Sequence, residues 1–280
     1  MTTTMYDLDK TLFVTDLDGT LLRSDGTLSM RTETEIRRMT KCGLKLAFAT
    51  ARSLQTARKA AGNIVDTLPL ILHNGTFIKL PGESDYAVKN LLSDVPYLAK
   101  TLAECGIHPF VYAIHGGVQK FSYVPSLLSP EAAAFQATRQ GDPRDNPVTE
   151  LAEIWSGEVF YASCIGKEAD LRPAYAKLTE RYNCLFGKDY YSGDWWLEIL
   201  APEASKANAV GQLKNLLGCE RVVVFGDGHN DISMFRAADE GYAVAGASEE
   251  LKAMATAVIG ANDEDAVTAW LAVHLFTECT

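Results

Sequence analysis

With 280 residues, 47% of them apolar and 22% charged, the chain has the makeup of a soluble globular protein, long enough for one large domain or two of ordinary size. A formal net charge of −10 argues against general nucleic-acid binding, which needs a basic face to meet phosphates, but leaves room for a small phosphorylated ligand held by local positive groups or a metal. Six scattered cysteines without a CxxC pair or a zinc-spaced Cys/His cluster read as free thiols. No apolar run approaches the roughly 18 residues of a membrane span, and the start MTTTMYDLDK lacks a basic signal-peptide region, so a cytoplasmic protein is expected.

In chain order, Leu12-Phe13-Val14 reads as a buried strand that ends in two carboxylates, Asp16 and Asp18, followed by Gly19 and Thr20. Side chains two apart share a face of an ideal strand, so the two anions should repel unless a cation lies between them. Mg²⁺, which takes carboxylate and carbonyl oxygens, is a suitable one. Ser24-Asp25-Gly26 predicts a turn, with a small hairpin or flap around it. Ser29 or Thr32 is placed to cap a helix carrying Ile36 and Met39, Thr32 with Glu35 forming a capping box, and Gly43 ends it. LKLAFA at 44–49 predicts a second strand, with Thr50 at its tip as a donor to a phosphate oxygen or as a helix cap. LPLIL at 68–72 predicts a third, with Asn74 at its tip as a ligand contact or a turn residue before Gly75. Strand, helix, strand, helix, strand is the pattern of a parallel sheet, whose ligands bind beyond the carboxyl ends of the strands.

From about Ser84 the texture changes. A helix over 91–106, strands at 109–115 and 118–124 joined by Gly116-Gly117, a helix from Pro130, a loop at 140–147, a strand at 158–165, a helix near 168–182 and strands at 183–190 and 195–200 read as an α+β insert. The parallel pattern then returns. Residues 204–217 predict a helix with Lys206 in its first turn, where the helix dipole does not favour a cation and an anion site would explain one. RVVVF at 221–225 predicts a strand ending in GDGHND, a second acidic tip that could complete an oxygen-ligand Mg²⁺ site with the first. GYAVAG at 241–246 and TAVIG at 256–260 are further strand candidates, before a closing helix to Phe276.

DLDGT at 16–20, Thr50, Lys206 and GDGHND at 226–231, in this order, resemble the haloacid dehalogenase superfamily, and most of all its Cof-type (subfamily IIB) sugar-phosphate phosphatases. HNGTFI at 73–78 and SKANAV at 205–210 match that branch more loosely, and Ala207 and Ala266 stand where it often has Gly. The resemblance implies an α/β fold: a Rossmann-like parallel-sheet core over 1–83 and 190–280, with an inserted α+β cap over 84–189 that selects the leaving group. It also implies a Mg²⁺-dependent phosphomonoesterase acting on a small phosphorylated metabolite, a sugar phosphate first among the candidates. A phosphotransferase or phosphomutase on the same scaffold is the alternative. Asp16 would be the nucleophile and a metal ligand, and Asp18 the general acid and base, with its backbone carbonyl on the metal. Thr50 and Lys206, with Asn74, would hold the phosphoryl oxygens. Asp227 would bind the metal, and Asp231 with Asn230 would support it. His108, Tyr112, His115, Tyr123 and Tyr161 are insert residues able to reach a sugar.

Overall fold

The computed structural model describes residues 6–189 and 192–275. They fall into two compact units, divided at Lys89/Asn90 and at Glu203/Ala204. The first unit opens with β1 (Thr11–Asp16), α1 (Met30–Lys41), β2 (Leu46–Ala49), α2 (Leu54–Ala61), β3 (Leu70–Leu72), β4 (Phe77–Lys79) and β5 (Val88–Lys89). The second carries α3 (Val95–Glu104), β6 (Phe110–His115), β7 (Val118–Tyr123), α4 (Pro130–Ala137), β8 (Asp145–Pro147), β9 (Glu158–Gly166), α5 (Glu168–Leu178), β10 (Asn183–Lys188) and β11 (Trp195–Leu200). The chain re-enters the first unit with α6 (Lys206–Leu216), β12 (Arg221–Gly226), α7 (Ile232–Ala237), β13 (Glu240–Ala243), α8 (Glu249–Met254), β14 (Ala257–Val258) and α9 (Ala266–Leu275).

The sheet of the first unit runs β14-β13-β12-β1-β2-β3-β4-β5. It is parallel from β14 to β3, and β4 and β5 add an antiparallel edge. β1 is buried along its whole length, as a central strand covered on both faces must be. Chain order reverses between β1 and β12, whose residues pair from Thr11 with Arg221 to Thr15 with Phe225. That reversal is the switch point at which open α/β sheets bind ligands. It sets the ends of β1 and β12 side by side.

The sheet of the second unit runs β10-β11-β9-β6-β7-β8, antiparallel except for β7 with β8. Period-two alternation buries both faces. Val111, Ala113, Ala162, Cys164, Leu197 and Ile199 pack with the apolar sides of α3 and α5, while Phe110, Phe121, Ile165 and Trp196 pack with Ala132 and Phe135 of α4. Tyr123 lies in the second of these clusters, and Tyr161 gives its hydroxyl to Glu198.

Several expectations shift. β11 is hydrogen-bonded between β10 and β9, so the chain leaves the second unit after Glu203 and not at residue 190. Ser29, not Thr32, caps α1, accepting from Thr32 N at 2.9 Å; the Thr32–Glu35 box does not form, because Thr32 is buried and Glu35 pairs with Arg38. Residues 23–27 close a tight turn through Arg23 N to Thr27 O and pair with no strand, so the flap is not a hairpin. The 140–147 loop contains β8. Cys42, Cys105, Cys164, Cys184 and Cys219 are free thiols; Cys279, Phe276 and residue 190 of the 183–190 strand lie outside the described residues. Among the described residues no helix is long and apolar enough to cross a membrane.

Candidate active site

All eight candidate residues lie in the first unit, at the tips of β1, β2, β3 and β12 and at the start of α6. β1 ends at Asp16, and the chain turns at once, with Leu22 N donating to Leu17 O at 2.8 Å. Asp18 therefore lies beyond the strand, where strand alternation no longer sets its direction. Asp16 is buried, and Asp18 is partly exposed. Gly19 makes the turn possible with a φ of +73°, and a Cβ there would sit 2.4 Å from Asp227 Oδ2. Thr20 donates to the other Asp227 oxygen at 2.9 Å, tying the β1 loop to the β12 loop.

Lys206 is the first residue of α6, behind Ser205, whose side chain accepts from Asn208 N at 3.1 Å and so caps the helix. Its ammonium is wholly buried and donates to Asp16 Oδ1 and to Asp231 Oδ1, each at 2.6 Å. The other Asp231 oxygen accepts from Asp227 N at 2.9 Å and Gly228 N at 3.0 Å. Asp231 thus folds the GDGHND loop and orients Lys206, with both oxygens occupied.

Asp16, Asp227 and Asp231 bring ligand atoms within 4.8 Å of one another. Three carboxylates and one ammonium leave an excess of negative charge in a buried place, which a cation preferring oxygen ligands would offset. The titrations carry the same strain. Burial pushes the Asp16 carboxyl well above its usual range, against the pull of Lys206 and with the help of Asp231 and Asp227. Burial, then Asp231, pushes Asp227 up to about 6, against the Thr20 hydrogen bond and Lys206. Burial alone would lower Lys206, but Asp16 and Asp231 outweigh it and hold the ammonium above its usual value.

At the tip of β2, Thr50 is buried, and its Oγ1 accepts from Arg52 N at 3.1 Å, a bond that does not use the hydroxyl hydrogen. At the tip of β3, His73, Asn74 and Gly75 all have positive φ, at 47°, 54° and 101°. Two consecutive non-glycine residues in that region store strain that the surroundings must hold. The holding contacts are Asn74 N to Thr50 O at 3.0 Å and His73 N to Arg52 O at 3.1 Å. Asn74 Oδ1 accepts from Asn230 Nδ2 at 3.2 Å, so the two side chains meet in this structure. Gly75 lies against the start of α6, where an added Cβ would stand 2.2 Å from Ser205 O. Gly75→Ala should therefore cost about 3 kcal/mol and displace Lys206. Gly26→Ala, with a φ of +77° and nothing within 4 Å, should cost only about 1 kcal/mol and leave turnover unchanged. Thermal unfolding of both variants beside kcat checks the contrast; equal effects would show that packing on Ser205 is unimportant.

Arg52 was not singled out by the sequence. Its Nε donates to Asp18 Oδ2 at 2.8 Å and its Nη2 to Asp18 Oδ1 at 2.6 Å. The only signal in the chain is an arginine two residues beyond a strand-tip threonine, which by itself names no partner.

The chain matches the family model described as haloacid dehalogenase-like hydrolase over residues 13–271. It is 24% identical to the 5-amino-6-(5-phospho-D-ribitylamino)uracil phosphatase YitU of Bacillus subtilis, over 93% of this chain and 96% of that one. It is 28% identical to the pyridoxal phosphate phosphatase YbhA of Escherichia coli, over 93% and 97%. Among solved structures, a haloacid dehalogenase-like hydrolase from Bacteroides thetaiotaomicron superposes with a TM-score of 0.75 at 23% identity, over 94% of this chain and 98% of that one, and shares the fold. With the acidic tips of β1 and β12 and the buried lysine between them, the match over nearly its whole length makes this chain a member of the haloacid dehalogenase-like hydrolases, in their Cof-type branch, and an enzyme.

Proposed function

We propose that the protein is a Mg²⁺-dependent phosphomonoesterase that hydrolyses a small phosphorylated metabolite, a sugar phosphate first among the candidates, through an aspartyl-phosphate on Asp16. The observation that carries this reading is the wholly buried Lys206 ammonium held between Asp16 and Asp231 at adjacent strand tips. An ammonium has three hydrogens. Two are taken by the carboxylates, and we assign the third to a phosphoryl oxygen. Lys206 fixes Asp16 by Oδ1, which leaves Oδ2 to attack phosphorus.

In the first step Asp16 Oδ2 bonds to phosphorus, the ester P–O bond breaks, and Asp18 gives its proton to the departing oxygen. In the second, water attacks the same phosphorus, Asp18 takes the proton, and the Asp16 carboxylate is restored with release of phosphate. The Thr50 hydroxyl and Lys206 hold the phosphoryl oxygens. Asp16, Asp227 and the backbone carbonyl of Asp18 would hold Mg²⁺, and Asp231 with Asn230 would keep the Asp227 loop in place. When bound, Mg²⁺ supplies the positive charge that lets a carboxylate approach a phosphate dianion. The relatives whose names are phosphatases of two different small phosphorylated compounds support the substrate class. We assign residues 90–203, which contain none of the eight residues, to substrate selection.

Phosphate release from a panel of sugar phosphates, other metabolite phosphates and p-nitrophenyl phosphate, with and without Mg²⁺, tests the reading. Release that needs Mg²⁺ and no acceptor is expected. Transfer of the phosphoryl group only to an added sugar would replace hydrolase by transferase, and turnover indifferent to metal would sink the mechanism.

The metal assignment has a consequence for stability. Asp227 titrates in the fold at about 6, above its usual 3.8. A group raised in this way favours the fold below its ordinary range, and that contribution disappears as pH rises through about 6. The metal-free protein should therefore melt lower at pH 7.5 than at pH 5 on account of this residue. Mg²⁺ should raise the melting temperature at pH 7.5 and do little at pH 5, where the proton competes. Asp227→Asn should stabilise the metal-free protein at pH 7.5 by about 1 kcal/mol and remove most of the Mg²⁺ response. An undiminished response would move the metal away from Asp227.

A further inference from the structure

Asp18 has to offer its carboxyl to two different oxygens in two steps, yet it sits on a turn and not on the strand, outside the group formed by Asp16, Asp227 and Asp231. Its side chain is 42% exposed. Left alone, such a side chain would sample several rotamers, including ones turned toward the buried lysine or a bound cation. In the structure it meets the planar fork of Arg52, with Nε on Oδ2 at 2.8 Å and Nη2 on Oδ1 at 2.6 Å. Two parallel bonds fix a carboxylate in orientation as well as in place, which a single ammonium cannot do.

The fork is itself held. Arg52 Nη1 donates to Thr56 O at 3.2 Å within α2, the Arg52 backbone N donates to Thr50 Oγ1 at 3.1 Å, and its carbonyl accepts from His73 N at 3.1 Å. The guanidinium thus connects the turn after β1 to α2, while the Arg52 backbone is tied to the tips of β2 and β3. Each Asp18 oxygen accepts one bond from the fork, and each retains a second lone pair for a proton.

We propose that Arg52 is a positioning residue for the general acid and base: its fork holds the Asp18 carboxyl at the leaving oxygen and keeps it from joining the buried carboxylate and lysine cluster. This rests on the reading of Asp18 given above. With the pair partly open to solvent, its contribution to folding is small, so variants at 52 should fold.

The test is kcat/KM, which reports the phosphoryl-transfer step, for an alkyl phosphate and for p-nitrophenyl phosphate with Mg²⁺ present, in the parent, Arg52→Ala, Arg52→Lys and Asp18→Asn. Nitrophenolate departs with little help from an acid, whereas an alkoxide needs a proton. Arg52→Ala should lose about 100-fold on the alkyl phosphate and less than about 5-fold on p-nitrophenyl phosphate. Guanidinium ion at sub-denaturing concentration should restore part of the loss, and Arg52→Lys should stay impaired because it lacks the fork. An equal fall on both substrates, or rates within twofold of the parent, would overturn the proposal. Asp18→Asn separates the two failures. If it discriminates between leaving groups and Arg52→Ala does not, only the role of Arg52 is wrong. If it does not discriminate either, Asp18 is not the acid. Thermal unfolding of each variant shows whether lost activity is lost fold.

Discussion

Asp16→Asn is expected to hydrolyse no phosphate monoester above about 10⁻⁴ of the parent rate, and to melt no lower than the parent. The two halves of this result come from the same geometry. An amide cannot form the acyl-phosphate bond, so the covalent route closes. The amide oxygen can still accept from Lys206, which stands 2.6 Å from Asp16 Oδ1, so the buried ammonium keeps its partner. The substitution also removes one of three crowded carboxylates, and Asp16 is the one whose carboxyl burial already drives well above its usual range. Rates of phosphate release and a thermal unfolding curve measured on one preparation decide the matter. Retained Mg²⁺-dependent turnover would mean that another group attacks phosphorus. A much lower melting temperature would mean that the Asp16 charge, and not merely its oxygen, holds the cluster together.

Lys206→Ala should lose activity and stability together. The Lys206 side chain has no exposed surface, and the carboxylates it bridges are nearly as buried. Removing one partner of a buried pair commonly costs about 3–5 kcal/mol, because the charges left behind have neither water nor a counterion. Two anions are stranded in this case, and the melting temperature should fall by about 10 °C. The deficit should depend on pH in a stated direction. Burial already favours the neutral Asp16 carboxyl, and without the ammonium nothing in the cluster opposes it, so the loss is smallest near pH 5 and grows as pH rises past neutrality. Unfolding curves at both values check this. A pH-independent deficit would assign the loss to the cavity left by the side chain and not to charge.

Much of this was legible in the sequence, for identifiable reasons. β1 and β12 are apolar runs cut off by acids and glycines, so both strands and tips can be read without coordinates. Lys206 was marked by its unfavourable place in a first helical turn, and burial between two carboxylates is what explains that place. What escaped was pairing across distance. Nothing local connects Arg52 to Asp18 or Asn74 to Asn230, since those contacts exist only once the strand tips are aligned. β4 and β5 escaped because strands of three and two residues carry too little pattern. The 190 boundary failed because the Trp195–Leu200 run is as apolar as any core strand, and its neighbours decide to which sheet it belongs.

The position of β1 at the middle of its sheet also bears on how the chain must fold as it is made. One edge of β1 is taken by β2, close by in sequence, but the other belongs to β12 near the far end. Until residues 221–226 leave the ribosome, on the order of tens of seconds after β1, a strand built to be fully buried lacks its second neighbour. The second unit, with its own sheet and core, can mature in that interval, whereas the first cannot. The earliest strand of the chain is thus among the last to be completed, and the nascent protein presents an open apolar edge of the kind that chaperones cover and that aggregates recruit.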